Sequence, residues 1–255
     1  MLIIGKEFPE GSDFAGGVKS VGRKIAITTK TEIKSSAEDN VLPVMWNKTS
    51  PISARAVLLT SETSLEGLDE VVLYFDETSF ASAFEASTME DCERSIDEMI
   101  LGYQYMAFET LKRFEKKYTF NSNTTGDSSE SEEPKPSKLV FVIRNNSSEY
   151  DLVHNSAVRN TVSTLSCALV AAASAAFTAF AENIAATFGS KEYVNIVLVK
   201  ADGAAENYKK DSVLSSWLCS YLDDMDKLKK KPTVKQSSVW VKAGSKSSGL
   251  LSFLR

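Results

Sequence analysis

Acidic side chains follow two of the most apolar segments of this 255-residue chain. Asp76 and Glu77 come directly after one such segment, Asp202 follows another, and His154 is the one histidine in the sequence. Paired carboxylates can act as general acid and general base when their environments separate their pKa values. The spacing gives no reason for these four side chains to meet, so we predict no catalytic cluster among them.

Three cysteines, Cys92, Cys167 and Cys219, are the other candidate reactive groups. They lie far apart without a Cys-x-x-Cys pair, and the single histidine cannot complete a zinc site with them at this spacing. We therefore predict no metal site. We interpret the cysteines as small buried residues of a protein in a reducing compartment.

Two glycines near the amino end, Gly5 and Gly11, are the candidate residues of a phosphate-binding turn. Glycines in a turn before a helix let backbone amides approach a phosphate group, because no Cβ blocks the way. Bulky Phe8 and rigid Pro9 lie between these two glycines. The spacing therefore favours an ordinary strand-to-helix turn over dinucleotide binding.

Composition and charge exclude several classes of protein. The hydrophobic content of 43% is enough for the core of one α/β domain, which we predict to span residues 1–255. A net charge of −5 argues against a nucleic-acid-binding surface, which needs clustered Lys and Arg. The first residues contain no basic region, so we predict no signal peptide and a cytoplasmic location.

An alanine-rich apolar segment, residues 165–181, has about the minimum length of a membrane span. Two serines and a threonine interrupt it, and Glu182 and Asn183 end it without flanking anchor residues. We therefore interpret the segment as part of a buried helix in a soluble protein.

Predicted strands alternate with predicted helices along the chain. Apolar and β-branched segments predict strands at residues 2–7, 24–29, 41–46, 71–75, 138–143, 193–199 and 239–241. Capping residues and apolar spacings of three and four predict helices at residues 12–21, 50–65, 87–117, 155–188 and 211–228. This alternation predicts a Rossmann-like, doubly wound α/β fold: a mainly parallel sheet with helices on both faces.

Local signals set the expected ends of several elements. Ser12 or Asp13 is expected to cap the first helix, and Ser87 and Glu90 are expected to form a capping box for the third. Residues 121–137 are rich in Ser, Glu and Pro, and we predict a flexible acidic loop there because the segment has too little apolar surface to order itself. A tolerated insertion is favoured over a partner-binding role for this loop.

The order and spacing of these elements resemble the short-chain dehydrogenase/reductase family over nearly the whole chain. Residues 174–189 (SAAFTAFAENIAATFG) resemble the alanine-rich helix that the catalytic Tyr-x-x-x-Lys motif of that family opens. Residues 87–117 resemble the helix after the fourth strand, and residues 139–148 resemble the fifth strand and its loop. The resemblance implies a Rossmann-like domain and, in active members, NAD(P)-dependent oxidoreductase activity.

The catalytic positions of this sequence depart from the family pattern. The register of the helix places Val170 at the tyrosine that exchanges the substrate proton, and Ser174 at the lysine that lowers the pKa of that tyrosine. The family's structural asparagine corresponds to Met99, and its serine corresponds to Ser147 or Ser148. Valine has no proton to give and serine no positive charge, so we predict no catalytic residues.

The phosphate-binding turn also departs from the family's Thr-Gly-x-x-x-Gly-x-Gly. Gly5, Gly11 and Lys30 are the only candidate cofactor-binding residues. Lys30 ends the second predicted strand, where the family often selects a 2′-phosphate, so it would favour NADP; an isolated surface lysine is the simpler interpretation. Residues 75–78 (FDET) place carboxylates where the family has an uncharged turn facing the nicotinamide.

Two functions follow from the resemblance and its gaps. The favoured one is a catalytically inactive relative, without a bound cofactor, that serves as a binding, regulatory or assembly subunit. Members of the family commonly dimerise through two long helices, here residues 87–117 and 155–188, so the resemblance implies a homo-oligomer or hetero-oligomer. The alternative is an NADP-dependent reductase with relocated catalytic groups.

Overall fold

Seven parallel strands form the centre of the protein. The computed structural model describes residues 1–33, 41–84, 88–124, 134–145, 163–202, 210–227 and 233–245. The strands are β1 (Leu2–Ile4), β2 (Ile25–Thr29), β3 (Val41–Met45), β4 (Glu70–Asp76), β5 (Ser137–Asn145), β6 (Val194–Asp202) and β7 (Trp240–Lys242). They lie in one sheet in the order β3-β2-β1-β4-β5-β6-β7, and every neighbouring pair is parallel.

Helices connect the strands and cover both faces of the sheet. They are α1 (Ser12–Ser20), α2 (Pro51–Ser64), α3 (Glu77–Ala83), α4 (Met89–Ile96), α5 (Gly102–Thr124), α6 (Ser163–Phe188), α7 (Asp211–Asp226) and α8 (Val234–Ser237). A π-helical turn, Asp97–Leu101, joins α4 to α5. The predicted Rossmann-like α/β fold is confirmed.

Alternate residues of the central strands enter two separate cores. In β4, Leu73 and Phe75 pack with side chains of α2, α5 and α6, whereas Val72 and Tyr74 pack with side chains of α1 and α7. All residues of β4 are buried, which explains its continuous apolar sequence: a parallel strand covered on both faces has no solvent side. Full burial of one large aliphatic side chain contributes about 1.5–3 kcal/mol.

Proline is accommodated in β3 because this strand lies at the edge of the sheet. Pro43 is paired with Ile27 of β2, and β3 ends the strand order on that side. Proline has no backbone N–H to donate to a neighbouring strand, so within sheets it is confined to edge strands, strand starts and bulges. Pro43 thus lies in a strand where one side needs no ladder donor.

Two of the predicted helix caps were wrong. The capping box of α4 is formed by Thr88 and Asp91, whose side chains each accept the other's backbone N–H at 3.1 and 3.0 Å, one residue later than the predicted box. The N-cap of α1 is Gly11, without a side-chain cap. Asp13 instead accepts the backbone N–H of Ser212 at 2.9 Å, so it serves the start of α7 rather than its own helix.

Residues 121–124, which were predicted to belong to an acidic loop at residues 121–137, are helical instead. Helix α5 continues to Thr124 and β5 begins at Ser137, while residues 125–133 lie outside the described part. Extending an existing helix adds one hydrogen bond for each residue fixed, so a polar end can remain helical without core contacts. The helix predicted at residues 87–117 therefore runs seven residues further.

The alanine-rich helix packs against the sheet. Val170, Phe177 and Ala181 of α6 belong to the same core as Phe141 of β5. Its segment Ala168–Phe188 is nevertheless long and apolar enough to cross a membrane, with 39% of its most apolar part buried. A core helix of a soluble protein has the same length and composition. The predicted helical residues 155–162 lie outside the described residues.

Candidate functional site

The candidate site lies at the carboxyl ends of β1 and β4, where the order of the strands reverses. Ligands of open α/β sheets bind in the crevice outside the strand ends at such a switch point. A crevice of about 470 Å³ opens there, lined by the turn from Gly5 to Glu10, residues 29–31 at the end of β2, Lys48, Glu98, and Ser79, Phe80 and Ala83 of α3.

A buried ionic cluster adjoins this crevice through Lys6, which is one of the residues that line it. The Lys6 ammonium contacts the Asp76 carboxylate at 2.8 Å and the Asp211 carboxylate at 2.8 Å. The Arg144 guanidinium contacts Asp211 at 2.6 Å and lies 4.0 Å from Asp76. All four residues are at most 8% exposed. We refer to Lys6, Asp76, Arg144 and Asp211 as the buried ion cluster.

The elements of the fold explain how these four residues meet. Lys6 follows β1, Asp76 ends β4, Arg144 lies near the end of β5, and Asp211 begins α7. Asp76 is the register partner of Arg144 in the parallel sheet. The ion cluster therefore ties three strand ends to the helix that follows β6.

Local electrostatics favour the charged forms of the two cations. Burial lowers the pKa of Lys6, but the Asp76 and Asp211 carboxylates outweigh it and leave that pKa raised. Burial also opposes the charge of Arg144, whereas nearby Tyr74 and the two carboxylates raise the pKa of its guanidinium. With two cations and two carboxylates, the formal charges of the cluster balance.

The glycine at position 5 is required by the packing of the protein itself. Its φ is +93°, and a Cβ added there would lie 2.2 Å from both the Tyr103 hydroxyl and the Tyr74 carbonyl. The Tyr103 hydroxyl donates to that carbonyl at 2.7 Å, and burial raises the pKa of Tyr103 well above its ordinary value. Tyr103 is thus a packing residue and is poorly suited to donate a proton to a substrate.

The amides at the start of α1 are engaged within the turn. The N–H of Gly11 donates to the Glu7 carbonyl at 2.6 Å, and the N–H of Ser12 donates to the Pro9 carbonyl at 2.9 Å. A Cβ at Gly11 would lie 2.5 Å from a methyl carbon of Ile27. Gly5 and Gly11 therefore both line tight contacts of the turn, consistent with an ordinary strand-to-helix connection.

The third candidate, Lys30, lies at the mouth of the crevice. Its ammonium is 3.6 Å from the Glu7 carboxylate, and its side chain is 65% exposed. The other oxygen of that carboxylate contacts Lys48 at 2.8 Å. Lys30 and Gly5 both line the crevice, whereas Gly11 is not one of its lining residues.

The two positions that the sequence register assigns to the family's tyrosine and lysine are both buried. Val170 is 3% exposed and Ser174 is 7% exposed, and the Ser174 hydroxyl donates to the Glu77 carboxylate. Met99, at the position of the structural asparagine, is fully buried in the π-helical turn. Ser147, Ser148 and His154 lie outside the described residues.

Of the acidic residues considered first, Asp76 and Glu77 contact different partners. Asp76 binds Lys6 and accepts the amides of Thr78 and Ser79 at the start of α3, while Glu77 binds Ser174. Sequence reasoning missed Lys6, Arg144 and Asp211. The sequence did offer one signal for this site: Lys6 and Arg144 each lie at or next to the carboxyl end of a buried strand. Sites form at these strand ends in this architecture.

Cysteine and metal chemistry have no centre in the described part of the chain. No group of three or more His, Cys, Asp or Glu residues there could hold a metal ion. Cys92 and Cys219 are free thiols, and burial raises the pKa of Cys219 to about 11. This thiol is therefore protonated at neutral pH and unreactive.

Comparison with known proteins identifies the fold. The sequence matches no protein-family model and has no significant match among curated proteins. A short-chain dehydrogenase/reductase family oxidoreductase from Aeromonas hydrophila has a TM-score of 0.61 at 9% identity, with 96% of this chain and 98% of that chain covered. The chain has the short-chain dehydrogenase/reductase fold.

Two further structures with this fold contain a dinucleotide. A short-chain dehydrogenase from Leptospira borgpetersenii with bound NAD+ has a TM-score of 0.58 at 12% identity, with coverage of 95% of this chain and 89% of that chain. A 3-ketoacyl-(acyl-carrier-protein) reductase from Brucella melitensis complexed with NADH has a TM-score of 0.55 at 12% identity, covering 96% and 97%. At such identities the short-chain dehydrogenase/reductase likeness is one of fold.

Proposed function

We propose that this protein is a catalytically inactive, cofactor-independent member of the short-chain dehydrogenase/reductase structural family that acts as a binding or assembly subunit. The buried ion cluster carries the proposal. Its side chains link the ends of β1, β4 and β5 to α7, at the switch point where a dinucleotide would bind in this architecture. Contacts within the protein thus take the place of contacts to a ligand.

The turn after β1 fits a pyrophosphate group poorly. Two of its amides are engaged by carbonyls of the same turn, and the Glu7 carboxylate lines the crevice. An anion is bound at a helix N-terminus by free N–H groups and is repelled by nearby negative charge. To bind there, a dinucleotide would have to break the two hydrogen bonds within the turn and place its pyrophosphate near the negative charge of Glu7.

The helix that would carry the catalytic groups supports the same proposal. Val170 has no proton to exchange, and Ser174 has no positive charge to lower the pKa of a neighbour. The hydroxyl of Ser174 is engaged by Glu77. Losing catalytic side chains does not disturb a fold whose stability comes from packing, so the scaffold can persist with another role.

Assembly through the α4, α5 and α6 face is supported by the distribution of apolar surface. Ten large apolar side chains are exposed in the described part of the chain, and six of them lie on α2, α4 and α5: Ile52, Leu59, Met89, Ile96, Phe108 and Phe120. On α6 the exposed positions include Ala171, Ala175 and Ala179. Phe108 contacts Phe180 edge to face at 5.7 Å, so the apolar surface is continuous from α5 to α6.

Helices with small exposed residues can approach a partner closely, and clustered apolar surface marks protein interfaces. We expect purified protein to form an oligomer with α5 and α6 at the interface. Phe108→Glu or Ala175→Glu should then dissociate it, because each buries a charge in an apolar interface.

Light scattering coupled to size-exclusion chromatography measures this directly. Val213→Glu is the matched control, since Val213 is a 43% exposed apolar residue on α7, on the opposite face of the sheet, and its substitution should leave the oligomer intact. The assembly role would be contradicted if the wild-type protein were monomeric and also bound no partner chain through α5 and α6.

A further inference from the structure

The Glu7 carboxylate lies between two lysines at the crevice. One of its oxygens contacts the Lys48 ammonium at 2.8 Å, and the other lies 3.6 Å from the Lys30 ammonium. Lys48 and Glu7 have side chains only 7% and 12% exposed. One carboxylate therefore compensates two positive charges from two different strand ends.

The position of Lys48 is fixed by aromatic rings. Its ammonium lies 5.4 Å from the ring centroid of Trp46 and 5.2 Å from that of Phe80, within the range of cation–π contacts. A cation held in so buried a place needs an anionic partner, because an unpaired buried charge is strongly destabilising. Glu7 supplies that partner from the turn that follows β1.

We infer that Lys30 and Lys48 form a site for a small polyanion such as pyrophosphate, and that Glu7 occupies it as an internal anion. Glu7 thereby excludes phosphorylated ligands from the crevice: its carboxylate neutralises the charges of both lysines and repels the negative charge of a phosphate group. This inference rests on the proposed function, since it supplies a reason why the protein would not bind a dinucleotide.

The other charged groups at the crevice do not replace Glu7. Lys6 is engaged by Asp76 and Asp211 in the buried ion cluster. Glu10 and Glu98 also line the crevice, but the carboxylate that contacts Lys48 is that of Glu7. Removing the charge of Glu7 alone should therefore leave two lysines facing the same open volume.

The test compares pyrophosphate binding by wild-type protein and by Glu7→Gln, using isothermal titration calorimetry and thermal unfolding of the full chain. Glu7→Gln should bind pyrophosphate at least about tenfold more tightly than wild type, the equivalent of about 1.4 kcal/mol. Glu10→Gln removes a charge from the same crevice and should not gain this binding. Adding Lys48→Met to Glu7→Gln should abolish the gain.

Loss of stability in Glu7→Gln would not obscure the result. A destabilised variant should regain thermal stability in millimolar pyrophosphate, because the ion would supply the missing negative charge and bind only the folded state. No binding and no recovery, or equal binding by wild type, would overturn the inference. Those outcomes leave the proposed function standing, whereas tight binding of NADPH by the wild-type protein would contradict the proposed function instead.

Discussion

At the scale of single residues, the site is defined by charges that neutralise one another. Lys6 and Arg144 contact the same carboxylate, that of Asp211, from two different strand ends. The Tyr74 hydroxyl also donates to Asp211 at 3.3 Å. Asp211 therefore connects three buried side chains, and we expect it to hold this region rigid. A substitution at Asp211 would remove one contact from each of the three partners.

Asp211→Asn is therefore expected to destabilise the protein by about 3–5 kcal/mol, because it breaks a buried ionic cluster while leaving its cations in place. Urea unfolding at neutral pH measures the change. The control is Asp223→Asn, which removes the 53% exposed partner of Arg23 and should cost at most about 1 kcal/mol. Equal effects of the two substitutions would show that the cluster has no special structural role.

At the scale of elements, the packing of α1 against α7 positions Asp211. A Cβ on Gly17 of α1 would lie 2.2 Å from the Ser212 carbonyl and 2.1 Å from the Ser215 hydroxyl. The Ser216 hydroxyl donates to the Gly17 carbonyl at 3.2 Å, and Asp13 binds the Ser212 amide. The backbones of the two helices thus approach more closely than any larger residue at position 17 would allow.

Gly17→Ala should force these helices apart and destabilise the protein by about 1–3 kcal/mol, as overpacking does. The neighbouring Gly16 is the matched control, since a Cβ there meets nothing within 4 Å. Gly16→Ala should stabilise the protein by about 0.5–1 kcal/mol, because alanine loses less backbone freedom in a helix. Thermal or urea unfolding of the two variants measures both changes. Stabilisation of the protein by both substitutions would contradict the close approach of α1 and α7 at Gly17.

The elements were easier to predict than the site because their signals are local. The apolar segment at residues 71–75 could only be a buried strand, and Ser50 with Pro51 marked the start of α2 correctly. The helix caps at Thr88 and Gly11 were missed because several neighbouring residues could cap equally well. The end of α5 was missed because polar residues are compatible with both helix and loop.

The ion cluster could not be predicted because its members are distant in the chain. Lys6 and Asp76 are 70 residues apart, and Arg144 and Asp211 are 67 apart. Their contacts depend on the order of the strands, which the sequence pattern leaves open. The assignment of Val170 and Ser174 to the family's tyrosine and lysine positions comes from the sequence register alone and stays a prediction.

At the scale of the whole molecule, the protein has a short-chain dehydrogenase/reductase fold in which ion pairs hold both ends of the sheet. Its two ends of the sheet are alike in this respect: at the amino ends, Glu70 binds Arg23 and Lys138, as Asp211 binds Lys6 and Arg144 at the carboxyl ends. Exposed apolar side chains concentrate on the α2, α4 and α5 side. The surface, rather than the crevice, is therefore expected to carry the function.

The most direct test is the thermal unfolding of wild-type protein titrated with NADPH. A ligand that binds only the folded state stabilises it by about 2.7 kcal/mol at a hundred times its Kd, a shift of several degrees for a chain of this size. The account predicts no shift up to millimolar NADPH. Saturable stabilisation would contradict it and would favour the alternative, an NADP-dependent reductase with relocated catalytic groups.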